Sequence, residues 1–403
     1  LEKEGIPGEI YALDPVRGNL GARLPGNGSK RPILIMGHSD VVGVDRDQWT
    51  IDPFEGVIKD GFVYGRGAAD DKAMIAITIQ VMLMIKRSNI ALDRDIILLI
   101  EAGEEGTTKW GIDYMVEKHL DKIDAEFALN EGGQIQIRQG RVDVVKVTTA
   151  EKAIWRGIKL IARGISGHGS RPRPDNAVVH LAEAVAKVGR YQMPMRLNET
   201  TREYFKRMAE ISVPEQAFLF ANIENSVLGP IIEEKFRNED FYSNSYLRTG
   251  ISPNIISGGF RYNVIPSEAE ATLDVRALPD ENQVEFLSTL ARIIDDPDIE
   301  IVPPSSGRPS APPSPLGTDL FRAIEKVQSE MFPEAITLPI MSTGASDGAQ
   351  LRAAGVPTYG IGGAASDDQD MRIHGNDERM NIEGLGMFLE FMYRTILEVA
   401  ASD

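Results

Sequence analysis

Four clusters of imidazole and carboxylate side chains lie close together in the first third of the chain. They are Gly37-His38-Ser39-Asp40, Asp70-Asp71-Lys72, Glu101-Ala102-Gly103-Glu104-Glu105-Gly106 and Asn130-Glu131-Gly132-Gly133. Carboxylates gathered at one place repel each other unless protons or cations neutralise them. His, Asp and Glu without Cys suit Zn²⁺, Co²⁺ or Mn²⁺. The adjacent Glu104 and Glu105 predict a division of labour, in which one carboxylate binds metal and its neighbour acts as general base on an activated water.

The elements that must bring these clusters together are short apolar segments. Residues 31–37, 95–100 and 125–129 are predicted as buried strands, and residues 73–87 as a long apolar helix. Continuous apolar strands between helices are typical of a mostly parallel sheet covered on both faces. Ligands of such sheets bind beyond the carboxyl ends of the strands. Because three of the clusters follow predicted strands directly, we expect them to converge at one edge of the sheet.

Each cluster also has an ordinary explanation when it is taken alone. A lone His-x-Asp is usually a surface loop, a Glu-Glu pair is usually a solvated helix start, and a Gly-rich loop with two Asp residues is usually a turn. Four such clusters at successive strand ends are harder to explain in this way, and they favour a metal site. Two of the five histidines, His119 and His180, lie in helical patterns and are interpreted as surface or packing residues.

The pattern changes after residue 150. Strands are predicted at 153–162, 268–277 and 299–302, with helices at 175–188 and 281–294, and the segment 196–250 looks like an irregular insertion. This combination predicts a small α+β unit with two helices on one side of a sheet. Residues 303–315 have the composition of a linker. The α/β rhythm then returns, with helices predicted at 319–331, 347–354 and 381–401 and strands at 337–341 and 358–361.

The predicted architecture is therefore an α/β catalytic domain, formed by residues 1–150 and 306–403, that is interrupted by an α+β domain at residues 151–305. The larger domain has a mostly parallel sheet sandwiched by helices.

Composition excludes several classes of protein. The 403 residues carry a net charge of −17 and no cysteine. The acidic balance argues against a nucleic-acid partner, because phosphate binding needs clusters of Lys and Arg. Disulfides, thiolate metal sites and a Cys nucleophile are excluded. No run of about eighteen apolar residues predicts a membrane span. The opening Leu1-Glu2-Lys3-Glu4-Gly5 resembles the end of a helix, so an earlier start with a cleaved signal stays open, and the compartment is left as cytoplasmic, periplasmic or secreted.

The ordered motifs resemble the two-zinc metallohydrolases that include aminoacylase, glutamate carboxypeptidase, succinyl-diaminopimelate desuccinylase and the carnosine-type dipeptidases. The likeness runs from Arg17-Gly18-Asn19-Leu20 to His374-Gly375-Asn376-Asp377-Glu378-Arg379. It looks closest to the branch of carboxypeptidase S and the N-fatty-acyl amino acid hydrolases. The resemblance implies hydrolysis of an amide bond next to a free carboxylate, with a peptide or N-acyl amino acid as substrate and two Zn²⁺ per subunit.

The resemblance also implies roles for individual residues. Asp70 would bridge the two metals; it is chosen over Asp71 because relatives with one Asp have the pattern Gly-Arg-Gly-x-x-Asp-x-Lys-Gly. Asp40 would orient the imidazole of His38, and Glu104 would be the general base. The implied metal ligands are His38, Asp70, Glu105, Glu131 and His374.

The smaller domain resembles the lid and dimerisation domain of the same family. His168, in Gly167-His168-Gly169, would reach the partner subunit's active site and stabilise the oxyanion there. Asn263 and Arg276 would hold the substrate carboxylate, since the planar guanidinium binds a carboxylate through two parallel hydrogen bonds. A salt bridge on the strand surface is the alternative for Arg276. Ser346 and Gly362 match loops that line the substrate pocket, and a homodimer is expected.

Two rival functions stay open on the sequence. An aminopeptidase of the related single-domain type would lack the segment that carries His168. A non-catalytic binding protein on this fold would have lost a metal ligand or the general base, and neither loss is present in the sequence.

Overall fold

A computed structural model describes residues 1–363, 365–367 and 370–402 of the chain. The strands in these ranges are β1 (Gly8–Asp14), β2 (Arg17–Leu24), β3 (Ile33–His38), β4 (Val57–Lys59), β5 (Phe62–Tyr64), β6 (Ile96–Glu101), β7 (Phe127–Asn130), β8 (Gln134–Arg138), β9 (Arg141–Glu151), β10 (Ala153–Arg163), β11 (Gly167–His168), β12 (Gly250–Gly258), β13 (Val264–Ile265), β14 (Glu268–Ala277), β15 (Ile299–Val302), β16 (Ser306–Gly307), β17 (Ile336–Ser342), β18 (Thr358–Gly360) and β19 (Arg379–Asn381).

The α-helices in the same ranges are α1 (Lys72–Arg87), α2 (Ile112–Lys118), α3 (Leu120–Ile123), α4 (Ala177–Arg190), α5 (Glu199–Ile211), α6 (Pro214–Ala221), α7 (Gly229–Glu239), α8 (Phe241–Leu247), α9 (Gln283–Ile294), α10 (Asp319–Met331), α11 (Gly348–Ala353) and α12 (Ile382–Ala400). Each predicted helix and strand is present, with ends that differ by a few residues at most. None of the described helices is long and apolar enough to cross a membrane.

The larger sheet has the strand order β1-β2-β6-β3-β7-β18-β9-β17, with β8 added beside β9. Its centre is parallel from β6 through β3 and β7 to β18, and β17 runs parallel to β9. The pairs β1–β2, β2–β6 and β18–β9 are antiparallel. This confirms the prediction of a mostly parallel sheet, and it places the carboxyl ends of β3, β6 and β7 at one edge.

Helices cover both faces of this sheet, as its continuous apolar strands require. One face packs against α1, α10 and α12, through buried side chains such as Val81, Phe321 and Phe391. The other face packs against α2 and α11, through Met115 and Leu351. The central strands β3, β6 and β7 are apolar where these cores cover them, and their polar side chains lie at their carboxyl ends.

A second, antiparallel sheet has the strand order β12-β14-β10-β15. Its apolar face is covered by α4 and α9, where Leu181 and Phe286 pack on alternating residues of β10 and β14. Asn176 and Asn282 accept hydrogen bonds from the first turns of these helices, so both helices begin at a cap of the expected type. Strand β12 lies at the edge of this sheet.

The segment 196–250 is not irregular, which corrects the sequence-based expectation. It forms α5 to α8, and its aromatic side chains Tyr204, Phe205 and Phe236 pack against residues of β9 and β17 such as Val144 and Leu338. These helices therefore pack on the larger sheet rather than on the smaller one. Their apolar residues are interrupted by short turns, so no single long helical period is visible in the sequence.

Candidate metal centre

The candidate centre lies where the strands of the larger sheet end. His38 is the last residue of β3, and Glu131 directly follows β7. Nε2 of His38 lies 3.0 Å from Oδ1 of Asp70 and 3.7 Å from Oε2 of Glu131. Gly37 is required before His38, because a Cβ at this position would stand 2.6 Å from Oδ2 of Asp71.

His374 contacts the second oxygen of the Asp70 carboxylate. Its Nε2 lies 3.1 Å from Oδ2 of Asp70 and 3.1 Å from Oε2 of Glu105. The two oxygens of Asp70 therefore face two different imidazoles, each of which has a second carboxylate beside it. The structure thus brings together all five predicted metal ligands.

A small three-stranded sheet brings the His374 loop to Asp70. Strand β5 leads into the loop that carries Asp70, and strand β19 follows the loop that carries His374. Residues 379–381 of β19 pair antiparallel with residues 62–64 of β5. This pairing joins two parts of the chain that are about three hundred residues apart, consistent with an interrupted domain.

Glu378 fixes the two loops at this point and was not singled out in the sequence. Its fully buried carboxylate accepts hydrogen bonds from the main-chain N–H groups of Ala69 (2.8 Å) and Asp70 (3.1 Å), and it pairs with Nη1 of Arg66 at 2.6 Å. The same guanidinium donates to the carbonyl of Gly375 at 3.0 Å. Only a contact between distant segments reveals this role.

Asp40 holds the turn that presents the two glutamates. Its carboxylate accepts from the main-chain N–H groups of Gly103 (2.8 Å), Glu104 (3.1 Å) and Glu105 (3.1 Å). Burial raises the pKa of Asp40, but the hydrogen bonds from His38 and from these amides outweigh burial and hold it at about 2. Asp40 lies on the Nδ1 side of the His38 ring, at 3.6 Å, where it can orient the imidazole.

Glu104 is held by an arginine that sequence reasoning missed. Arg308 donates through Nη2 to Oε1 of Glu104 at 2.5 Å and to the main-chain oxygen of Glu104 at 3.1 Å. Its other end contacts the Asp347 carboxylate and, at 3.2 Å, Oε1 of Gln350. Arg308 belongs to the segment predicted as a linker, whose Pro and Ser residues gave no sign of a buried guanidinium.

Arg308 pairs with Glu104, but among the described residues no Lys or Arg forms an ion pair with the other carboxylates of the cluster, which are Asp70, Asp71, Glu105 and Glu131. Burial, followed by repulsion from neighbouring carboxylates, raises the pKa of Glu105 and raises that of Glu104 to about 9. Burial and nearby carboxylates also raise the pKa of Asp71 and Glu131. Oδ2 of Asp71 is buried and has no hydrogen-bond donor. Such a site has the charge and the ligand types that a divalent cation requires.

Asp71 is an alternative to Asp70 as a carboxylate that could bind a metal. One compact group combines His38 with Asp70 and Glu105, and another combines His38 with Asp71 and Glu131, each with ligand atoms within 4.8 Å of one another. Asp70 has the better claim to the bridging position, because its oxygens reach both imidazoles. Asp71 lies on the Glu131 side.

The predicted lid residues lie apart from this cluster. His168 in β11 pairs with Val264 in β13, and the carbonyl of Asn263 accepts from the N–H of Gly169 at 2.8 Å, so two segments that are distant in the chain bring the exposed His168 and Asn263 together. Nδ1 of His168 contacts Oγ of Ser170 at 2.7 Å. Among the residues that the structure describes, no hydrogen bond or ion pair joins His168 or Asn263 to the metal ligands.

Arg276 and the two predicted pocket residues lie nearer to the centre. Arg276 pairs with Asp274 at 2.7 Å, which is the strand-surface salt bridge given as the alternative, but its Nη1 also donates to the carbonyl of Thr343 at 3.2 Å. Oγ of Ser346 lies 3.2 Å from Nδ2 of Asn130, the neighbour of Glu131. Gly362 approaches the main chain of Glu131 so closely that a Cβ would lie 3.3 Å from its Cα.

The two histidines that were interpreted as surface or packing residues have partners outside this centre. Nε2 of His119 lies 3.0 Å from Oη of Tyr114, and its ring packs on Tyr11. Nδ1 of His180 lies 2.6 Å from Oδ2 of Asp296 on the smaller domain.

Comparison with known families assigns the chain. The model of peptidase family M20/M25/M40 matches residues 34–398, which include all the predicted ligands. The chain belongs to peptidase family M20/M25/M40. Family membership makes it a metal-dependent hydrolase, in agreement with the prediction from the sequence.

Curated relatives in the M20/M25/M40 family share about a quarter of their residues with the chain. A "probable carboxypeptidase S-like 2" of Dictyostelium discoideum is 27% identical over 376 residues, covering 91% of this chain and 72% of the relative. The human "N-fatty-acyl-amino acid synthase/hydrolase PM20D1" is 27% identical over 382 residues, covering 91% of this chain and 74% of the relative.

Solved structures of the M20/M25/M40 family share the fold. The M20 metallo-carboxypeptidase Sso-CP2 of Sulfolobus solfataricus superposes with a TM-score of 0.71 at 20% identity, covering 99% of this chain and 91% of that one. Human carnosine dipeptidase 1 superposes with a TM-score of 0.66 at 16% identity, covering 99% and 88%. At these identities the likeness concerns the fold alone.

Proposed function

We propose that the enzyme hydrolyses the amide bond of a small peptide or an N-acyl amino acid, next to a free carboxylate, with two divalent metal ions at the centre and zinc as the default metal. The observation that carries the proposal is the carboxylate of Asp70, which faces Nε2 of His38 at 3.0 Å and Nε2 of His374 at 3.1 Å. Glu131 would complete one metal site and Glu105 the other. The names of the relatives, a carboxypeptidase S-like protein and an N-fatty-acyl-amino acid hydrolase, support this substrate class.

When bound, the two ions would polarise the scissile carbonyl and lower the pKa of a nearby water. Glu104 accepts the proton of the attacking water and later gives it to the leaving nitrogen, as a general base that becomes a general acid. Arg308 holds Glu104 in one position through both its side chain and its main chain. The carboxylate of Asp40 accepts hydrogen bonds from the main-chain N–H groups of Gly103 and Glu105, on either side of Glu104, so Glu104 has little freedom to move.

The lid residues complete this proposal. Arg276 would bind the substrate carboxylate, since its Nη1 already reaches the carbonyl of Thr343, three residues before Ser346. Asn263 and His168 would close over the scissile bond when the lid moves. We propose the domain division at residues 150/151 and 305/306, with α5 to α8 associated by packing with the catalytic unit.

The function is tested by offering dipeptides, N-acetyl amino acids and long-chain N-acyl amino acids to the enzyme, with Zn²⁺ and with a chelator. We expect release of a free amino acid that stops on chelation and returns with added Zn²⁺, Co²⁺ or Mn²⁺, because the centre relies on cations to neutralise its carboxylates. Release that persists with the metal removed contradicts the proposal. Failure of the metal-loaded enzyme to cleave any of these amides would overturn the substrate class.

We also propose a homodimer formed through the smaller sheet. Strand β12 is a free edge, and the apolar side chains at its end and in the following loop are exposed: Ile255 is 61% exposed, Ile256 59%, Phe260 82% and Tyr262 101%. A free apolar edge is a template for pairing with another chain. The exposed His168 lies on β11, which pairs with β13 directly after this loop, where it could reach the centre of a partner subunit.

Co-expression of two inactive variants tests this dimer. A heterodimer of Glu104→Gln and His168→Ala subunits contains one site with both groups intact, so random pairing should restore about a quarter of wild-type activity. Co-expressed Glu104→Gln and Glu105→Gln subunits are the matched control, since both lesions affect the same site and random pairing should restore almost nothing. Activity of the first pair that equals the sum of its parents would show that His168 does not act across subunits.

A further inference from the structure

A cavity of about 250 Å³ lies beside Arg276, between the larger sheet and the smaller one. Its wall includes Lys152, Arg248 and Arg276, together with polar groups of Gln192, Thr249 and Thr343. Among the described residues, those that line the cavity include three cations and no Asp or Glu. This is unusual in a chain with a net charge of −17. Pockets for drug-sized ligands measure about 300–1,000 Å³, so this one suits a side chain rather than a whole molecule.

Lys152 is the cation whose charge is least balanced. Its side chain is 1% exposed, and Nζ donates to the main-chain oxygen of Arg248 at 2.7 Å. In the part of the chain that the structure describes, no carboxylate forms an ion pair with it. Burial, followed by repulsion from Arg248 and Arg276, lowers the pKa of Lys152 to about 8. Burial of an ammonium group without a counter-charge is costly, so an entering anion would be stabilised here.

The other two cations of the cavity, both arginines, are each paired with a carboxylate. Arg248 is 4% exposed and pairs with Glu233 at 2.8 Å, while its Nε is buried with no hydrogen-bond partner. Arg276 pairs with Asp274 at 2.7 Å. The two carboxylates each balance one guanidinium and lie outside the wall of the cavity. The net charge of the five groups around the cavity is therefore positive.

The cavity is connected to the metal centre by a short chain of contacts. Lys152 directly follows Glu151, whose carboxylate accepts from the hydroxyl and, at 3.3 Å, from the N–H of Ser346. The Ser346 hydroxyl in turn accepts from Asn130, which precedes Glu131. Arg276 belongs both to the wall of the cavity and to the residues that would bind the substrate carboxylate. A substrate on Arg276 would thus have its released part beside Lys152.

We propose that the cavity receives a second carboxylate on the released amino acid, so that the enzyme prefers substrates that release aspartate or glutamate. This inference rests on the proposed function and specifies its substrate class. Arg276 binds one carboxylate, and Lys152, with Arg248 behind it, binds the other.

A purely structural role for Lys152 would be to link residues 152 and 248 through its hydrogen bond. Such a role affects stability and all substrates alike. It does not distinguish a charged side chain on the substrate from a neutral one of the same shape, so the ratio between matched substrates separates the two roles.

The test compares N-acyl-glutamate with N-acyl-glutamine, and N-acyl-aspartate with N-acyl-asparagine, in both an N-acetyl and an N-dodecanoyl series. We expect kcat/KM for the acidic member of each pair to exceed that for the amide by about tenfold to a hundredfold, the range typical of hydrogen bonds to charged groups. Free glutamate should likewise inhibit more strongly than free glutamine. Equal values for the two members, in both hydrolysis and inhibition, would overturn the proposal even in the absence of any variant.

Lys152→Met removes the charge and keeps most of the volume. We expect it to abolish the preference for the acidic substrate, so that the ratio between the acidic and the amide substrate falls to about one, whereas a merely structural loss would lower both rates and keep their ratio. Lys159→Met is the matched control, because Lys159 is half exposed on the same strand β10 and pairs with Glu270 at 3.2 Å, so its loss should leave the ratio unchanged. A Lys152→Met enzyme that keeps the wild-type ratio overturns the assignment of Lys152.

The failure of this inference can be told apart from the failure of the proposed function. If the metal-loaded enzyme cleaves neutral and acidic substrates equally, the hydrolase proposal stands and only the acidic subsite falls. If it cleaves none of these amides, the proposed function itself has failed.

Discussion

Glu104→Gln should lower kcat by about 10²–10⁴-fold, the contribution typical of a general acid–base group, while the metal content stays at the wild-type level. The amide of Gln keeps the shape of the side chain and can still contact Arg308, but it cannot accept a proton from the attacking water. Oε1 of Glu104 is bound to Arg308, and among the described residues neither carboxylate oxygen of Glu104 forms a hydrogen bond or an ion pair with His38 or His374, so loss of this carboxylate should not release a metal. The measurement is steady-state kinetics on the best substrate, together with metal analysis of the same preparation.

Glu105→Gln is the matched control, because it changes the neighbouring residue in the same way. Glu105 contacts Nε2 of His374 at 3.1 Å and would be a metal ligand, so its variant should lose both metal and activity. Similar metal loss in the two variants would show that the roles of the adjacent glutamates are not divided. Full turnover by Glu104→Gln would remove Glu104 from the mechanism.

Much of the centre could be predicted because it depends on local sequence. His38, Glu104 and Glu131 each follow a strand whose apolar run is continuous, and parallel strands end at one edge of a sheet. Functional residues that lie at strand ends therefore appear in the sequence as clusters directly after apolar runs. The antiparallel strand β14 was equally clear, because its alternating residues bury one face.

The groups that position these ligands could not be predicted in the same way. Arg66 and Glu378 are 312 residues apart, and Arg308 reaches Glu104 across 204 residues, so no local period connects them. A buried Arg in a Pro-rich segment looks like a solvated linker residue until its partners are known. The helices α5 to α8 were not predicted for another reason. Each of them is short, and its apolar residues face a sheet contributed by other parts of the chain.

The lid illustrates a further limit of a single chain. The exposed His168 and Asn263 lie beside each other where β11 pairs with β13, and Arg276 contacts Asp274 and the neighbouring loop. The proposed roles of these residues require either a movement of the smaller domain or a second subunit, and neither is encoded in a local pattern. The exposed edge of β12 indicates where a second subunit would bind, and the cationic cavity beside Arg276 indicates where the substrate would bind.

Arg308→Met should lower kcat about 10²-fold, a loss typical of a catalytic group that is displaced by about 1 Å, and it should change the pH dependence. Arg308 has its side chain 5% exposed and contacts both the carboxylate and the main-chain oxygen of Glu104, so its loss frees the base. Its positive charge lowers the pKa of Glu104, against burial and the neighbouring carboxylates, which raise it. Removal of that charge raises the pKa of Glu104, and a base with a higher pKa stays protonated up to a higher pH. The acidic limb of the profile of kcat/KM should therefore move to higher pH.

Arg94→Met is the matched control for this prediction. Arg94 is also a buried arginine, 1% exposed, that pairs with a glutamate at 2.6 Å, but this partner, Glu126, is 39% exposed and lies before β7, at the opposite end of the strands from the metal centre. Loss of Arg94 should lower the free energy of unfolding by about 1–3 kcal/mol, because the main-chain oxygens of Arg31 and Val399 lose their buried donor. The pH profile of the protein that stays folded should be unchanged. If both variants shift the acidic limb, the shift reports general loosening of the sheet. If only Arg308→Met does so, the guanidinium acts on Glu104 directly, because the two variants differ in where the lost charge lies.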